Sequence, residues 1–271
     1  PRDTESNPSS TLKSAKELHE LGVKIIIGPV FNENLTYLEE LKEVTFLSLT
    51  NKSNNDSKNI INAGINATSQ LNAIKKFIEL NEIKKTIFLI PDADYKKEIK
   101  KGISNSKIKI VKNYIYKTDP TKLTKQIEKI TNYERRKQNL EDEIKRVEKS
   151  NDNNKEKIIE RLKKKDTLGN VKFDSIIIAD FDESLKSVTT SLLYTDISPK
   201  EKYFITLNQW FDQSLLNEIS SQPLYFPSIN KKNYEIFSLE YFEKFNQYPN
   251  QLSFLSYDLL GLVYYLILQN N

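Results

Sequence analysis

Two carboxylate pairs, Asp92/Asp94 and Asp180/Asp182, are the groups in this chain whose type and spacing could do acid–base chemistry. Each follows a short apolar run and sits where turn and helix-cap residues are expected, so neither pair by itself points to a reaction. The chain has no cysteine, which removes disulfides, thiolate metal sites and cysteine nucleophiles. A single histidine, His19, stands in a polar helical segment without partners for a triad or a zinc site. Six glycines form neither G-x-G-x-x-G nor a P-loop, and no G-x-S-x-G elbow occurs. These features predict a protein that is not an enzyme and needs no cofactor or metal.

The elements that would position polar groups are easier to read. Val23-Lys24-Ile25-Ile26-Ile27 is a β-branched run stopped by Gly28-Pro29, the pattern of a strand buried on both faces of a parallel sheet. Ligands of open α/β sheets sit at the carboxyl ends of strands, so Phe31-Asn32-Glu33-Asn34 becomes the first candidate wall of a site. Val44 to Leu49 is the next strand, and Thr50 to Asp56 gives a second polar wall. Ile60 to Ile65, Thr86 to Ile90, Ile108 to Tyr116, Phe173 to Ala179 and Tyr203 to Leu207 read as further strands. Leu12 to Leu21, Leu35 to Lys42, Ser69 to Leu80, Glu98 to Ile103, Ser214 to Ile219 and Tyr234 to Asn246 read as helices. Alternation of this kind is doubly wound α/β logic. Asp180-Phe181-Asp182 closes the Phe173 strand, with Asp182 expected to cap the next helix, and Asn208 to Asp212 forms a loop holding the only tryptophan.

Leu123, Ile127, Ile130, Leu140, Ile144 and Val147 keep a four-three spacing that predicts a helix of about thirty residues, ~45 Å long. Ser150 to Asn154 breaks it, and Ile158, Ile159 and Leu162 mark a return. The whole reads as a helical hairpin inserted at about 120–166, either a solvated brace or a partner-binding arm. The closing helix, Leu252 to Leu268, is apolar nearly all round and is expected to be deeply packed. Its apolar core, Leu259 to Leu268, falls short of the ~18 residues of a membrane span.

Of the net charge of +4, three units lie between Glu134 and Asp166, where twelve basic residues mix with nine acidic ones. That is a solvated helical face and not the basic, aromatic-studded surface that nucleic acid requires. Starting at Pro1 and lacking methionine altogether, the chain is expected to be a processed or trimmed fragment.

Four segments carry a resemblance to a known family. Leu21–Val30 (LGVKIIIGPV), Phe46–Ser53 (FLSLTNKS), Ile61–Tyr95 and Phe173–Ile197 together resemble the type I periplasmic-binding-protein family. Tyr133–Ile144 (YERRKQNLEDEI), followed by the Phe173 strand and the Trp210 segment, is most similar to its penicillin-binding protein activator branch, relatives of the branched-chain amino-acid ABC receptors. The resemblance implies an α/β fold of two Rossmann-like lobes with a hinge, a cleft and a long helical insertion. Lobe one would be 1–65 plus 229–271 and lobe two 66–228. It also implies a strand and helix before Pro1, and further strands after Asn271.

By the same resemblance, the ligand-binding residues of the cleft would be Asn32, Asn34, Thr50, Ser53, Asp94, Tyr95, Phe181, Asp182 and Trp210. Phe31-Asn32-Glu33-Asn34 stands where amino-acid receptors carry serines, and Lys96 follows Tyr95 where they show glycine. The implied role is a non-catalytic module of the bacterial envelope or periplasm. Such a module would activate a peptidoglycan synthase or, alternatively, serve an ABC importer as receptor for a small polar ligand such as an amino acid or peptide. No nucleic-acid partner is expected, and a lipid anchor would lie outside these residues.

Overall fold

The computed structural model describes residues 1–52, 57–209 and 213–269. The chain divides into two compact units, the first comprising 1–71, 100–106 and 228–271, the second 72–99 and 107–227.

In the first unit α1 (Pro8–Glu20) leads into β1 (Ile25–Ile27), β2 (Thr45–Ser48) and β3 (Ile60–Asn62). Asn7 caps α1 by accepting the backbone N–H groups of Ser9 and Ser10, which satisfies two of the helix's orphan donors. The three strands form a parallel sheet in the order β1-β2-β3. Ala15, Leu35, Leu38, Val44, Phe46 and Ile60 make its core. The helix expected over Leu35 to Lys42 is instead two 3-10 turns, Asn32–Leu35 and Leu38–Glu40, which bury Leu35 and Leu38 without a full α-helical turn.

β1 departs from its predicted burial: Ile25 is 41% exposed and Ile26 and Ile27 are half-buried, because among the described residues β1 lies at the sheet's edge with β2 as its one neighbour. The close of the chain departs further. α9 (Lys231–Phe245) and α10 (Gln251–Gln269) form as the pattern predicts, but of α10 only Phe254 is buried. An apolar surface on every side specifies a buried helix only where a second layer exists to cover it. α10 is also, by length and hydropathy, apolar enough to cross a membrane.

The second unit is built on a five-stranded parallel sheet: β4 (Thr86–Pro91), β5 (Lys112–Tyr116), β6 (Ser175–Ile178), β7 (Tyr203–Thr206) and β8 (Leu224–Tyr225), in the order β5-β4-β6-β7-β8. α2 (Ala67–Leu80) precedes β4, and α3 (Lys96–Ser106) joins β4 to β5. α7 (Asp182–Tyr194) joins β6 to β7, and the one-turn α8 (Gln213–Leu216) precedes β8. All six residues of β4 and all four of β6 are buried. Strand order reverses direction at β4: β5 is added on one side and β6 on the other, so the carboxyl ends of β4 and β6 flank a topological switch point.

The thirty-residue helix expected from Leu123 to Val147 is two helices, α4 (Pro120–Thr131) and α5 (Tyr133–Glu148). Asn132 separates them with φ 51° and ψ 40°, a left-handed conformation that asparagine tolerates better than most residues. α4 packs Leu123 and Ile127 into the core of the second unit. α5 instead pairs with α6 (Lys155–Lys163) around a separate cluster of Leu140, Val147 and Leu162.

Candidate functional site

At the switch point of the second unit a carboxylate is held out of water. Asp180 follows β6 and is only 4% exposed. Its Oδ2 accepts the hydroxyl of Tyr116, the last residue of β5, at 2.5 Å. Its Oδ1 accepts the Tyr95 hydroxyl from the loop after β4 at 3.3 Å and the Phe181 backbone N–H at 3.0 Å. Three adjacent strands thus each place one polar group at a single point. Gln209, after β7, donates to the Asp180 carbonyl at 3.2 Å and to Thr206 Oγ1 at 3.0 Å, tying a fourth strand end to the same residue.

Burial raises the Asp180 pKa above its ordinary value, with the three hydrogen bonds opposing the shift and the nearby Asp182 adding to it. Tyr95 and Tyr116 are both pushed up, first by burial and then by the adjacent carboxylate. The two phenols therefore stay protonated and donate. Above them Tyr95 and Phe181 meet edge to face with ring centroids 5.8 Å apart, and both rings are only partly buried. The result is a half-exposed aromatic rim on a buried, hydrogen-bonded anion. It can stack against an apolar or cationic group.

Of the residues predicted from sequence, Tyr95, Phe181 and Asp182 are gathered at this point. Asp182 is exposed at the start of α7 with φ 50°, and the cap position belongs to Phe181, which makes no side-chain capping bond. Asp94 is exposed in the loop after β4. Asn32, Asn34 and Thr50 lie in the first unit, in the loops after β1 and β2. Thr50 is buried, and its Oγ1 accepts the Lys52 backbone N–H at 3.2 Å. Gly64 lets the chain pass so close that a Cβ there would stand 2.0 Å from the Thr50 carbonyl oxygen. Asn34 is 2% exposed, and the Oδ1 atoms of Asn32 and Asn34 are buried without a hydrogen-bond partner. Ser53 and Trp210 lie outside the described residues. Among the described residues no cluster of His, Cys, Asp and Glu could hold a metal.

The ligand-binding residues named from sequence lack Tyr116, Gln209 and Asp180, the last noted there only as half of a carboxylate pair. Their signal was positional: each is at or just past the carboxyl end of a strand.

No protein-family model matches the chain, and no curated protein matches it. Solved structures do. A Rhodospirillum rubrum protein described as a branched-chain amino-acid ABC transporter aligns with a TM-score of 0.63 at 10% identity, over 96% of this chain and 68% of that one. An ABC transporter substrate-binding protein from Desulfitobacterium hafniense, in complex with Leu, aligns with a TM-score of 0.55 at 12% identity, over 96% and 69%. The fold is the type I periplasmic-binding-protein fold. The C-domain of LpoA from Haemophilus influenzae, described as a regulator of PBP1A, aligns with a TM-score of 0.48 at 12% identity over 76% of this chain and 54% of that one. On the type I fold the two parallel sheets with their polar carboxyl-end loops are the expected architecture.

Proposed function

We propose that this module is a non-catalytic receptor of the bacterial envelope or periplasm whose second unit reads a small polar ligand, such as an amino acid or short peptide, through the Tyr95–Phe181 rim on Asp180. The observation that carries the reading is convergence: three strand ends at a switch point put two phenols and a backbone N–H on one buried carboxylate. A core does not need that arrangement, since a buried ion costs several kcal/mol unless its partners repay it. The half-exposed aromatic edge gives a ligand something to stack on. Asp94 and Asp182 of the same unit complete the proposed ligand-contacting set.

The test is a thermal-shift series with amino acids, short peptides and cell-wall fragments. At ~100 times Kd a ligand should add ~2.7 kcal/mol of stability, and Tyr95→Ala, measured against its own lower unliganded melting temperature, should abolish that gain. A flat response across the panel would refute a receptor role.

A second reading, an activator that docks a peptidoglycan synthase, is favoured by one feature: the α5–α6 hairpin has a core of its own and packs Leu140, Val147 and Leu162 internally. It predicts that shortening the hairpin between Lys137 and Lys165 removes binding to a synthase ectodomain and spares small-molecule binding. Equal loss of both activities would sink this division of labour.

A further inference from the structure

At the end of the second sheet opposite Asp180, where the chain enters β6 and β7, a buried arginine lines a polar cavity. Arg136 of α5 is only 6% exposed. Its Nε donates to the Thr131 carbonyl at 3.1 Å, one terminal nitrogen to Thr167 Oγ1 at 2.9 Å and the other to the Thr195 carbonyl. A guanidinium carries five N–H groups, so two are left over. All three partners are neutral, and the acid they lead to is one hydroxyl further on, where Thr167 donates to the Asp196 carboxylate. Burial lowers the Arg136 pKa and Asp196 opposes the shift, but a guanidinium keeps its charge even so.

The cavity holds about 330 Å³, at the small end of ligand pockets, and its walls are Arg136 and the segments 164–171, 196–197 and 201–202. All of these lie inside the described stretch 57–209, and β6 and β7 each have a strand on both sides, so the cavity does not sit at a sheet edge. Four basic residues, Arg136, Lys164, Lys165 and Lys202, stand there against three acidic ones, Asp166, Asp196 and Glu201. None of the three lysines forms an ion pair among the described residues.

We infer that this cavity binds a small molecule through one singly charged oxyanion, a carboxylate or a phosphodiester, whose oxygens accept the spare N–H groups of Arg136. A guanidinium suits that partner, because two of its N–H groups can each meet an oxygen. The single positive charge in excess sets the charge of the guest. A monoanion neutralises the wall, whereas a dianion would overshoot it and face three carboxylates. An apolar or cationic guest would leave a buried charge bonded to neutral groups alone. The cavity shares no residue with the Asp180 site, so either can fail without the other.

NMR titrations of the whole chain test this with four probes: acetyl-Gly-Gly bearing a free carboxylate, the same peptide amidated, dimethyl phosphate and neutral trimethyl phosphate. At least one charged probe should shift the Thr167, Leu168 and Asp196 amides and the Arg136 guanidinium while leaving Tyr95 and Phe181 unmoved, and which one does so names the source of the oxyanion. Its neutral counterpart should bind at least ~10-fold more weakly. Asp196→Asn keeps an acceptor for Thr167 and removes a negative charge, so it should tighten the charged probe about 3-fold. Lys164→Gln combined with Lys202→Gln should weaken it by about the same factor. Arg136→Gln should abolish binding, and the Asp196 and lysine variants keep the test open should that variant misfold. Equal affinity for charged and neutral probes, no shift at Thr167 and Leu168 with either charged probe, or an Asp196→Asn protein that binds no more tightly overturns the inference.

Discussion

The tripeptide Ile-Ile-Ile occurs twice in this protein, as β1 in the first unit and as Ile176–Ile178 of β6 in the second. The second triplet is fully buried, all three residues at 0% exposure, with strands on both sides and helices over the sheet. In the first, Ile25 is 41% exposed and its neighbours are half-buried. Identical residues with identical β propensity thus meet different fates according to strand order. The second sheet spends its apolar surface on a core and its strand ends on one polar cluster. In the first unit, among the described residues, β1 pairs on one side and most of α10 is exposed.

The comparison is sharpest in stability. Ile177→Ala should destabilise the protein by about 2–5 kcal/mol, the cost of a cavity in a close-packed interior, whereas Ile25→Ala should cost less than about 1 kcal/mol. Urea midpoints at constant m-value measure both, and equal costs would mean that β1 is covered after all. Next in size is a pair of hydrogen-bond variants. Tyr116→Phe strips Asp180 of its 2.5 Å donor and should cost about 1–3 kcal/mol. Asn34→Leu replaces an acceptor that is already orphaned and should be neutral or stabilising.

A smaller effect is set by pH. The Asp180 pKa is raised in the folded protein, so the native state binds its proton more tightly than the unfolded state does. Stability from this group is greatest below the unfolded carboxylate value and declines as pH rises from there through the raised folded value. Asp180→Asn should flatten that decline in melting temperature against pH. Smallest is Asn132→Gly, which relieves a left-handed residue and should stabilise by a few tenths of a kcal/mol, read from the same urea curves.

Much of the fold was legible because local pattern and tertiary context agreed. Thr86–Pro91 and Ser175–Ile178 are buried strands in sequence and in space, and the α/β alternation predicts the parallel sheets. Reading failed where context decided. Ile25-Ile26-Ile27 does not state how many neighbours its strand has among the described residues, and the apolar face of α10 does not state which of them cover it. The Leu123–Val147 spacing runs unbroken through Asn132, because a single left-handed residue changes the direction of a chain without changing its periodicity. Tyr95 and Phe181 were found by their loops. Tyr116 was missed because a tyrosine at a strand end looks like packing until Asp180, 64 residues later, is seen to accept its hydrogen bond.

Asn132 has a further consequence. One reversed residue uncouples α4, which the second sheet requires, from α5, which it does not. Turns can therefore be added to or removed from the α5–α6 arm without shifting the register of any strand, provided Arg136, bonded to Thr131 and Thr195 carbonyls and to Thr167, still pins its root. The arm is a place where related proteins can diverge in length while the sheet beneath them stays the same.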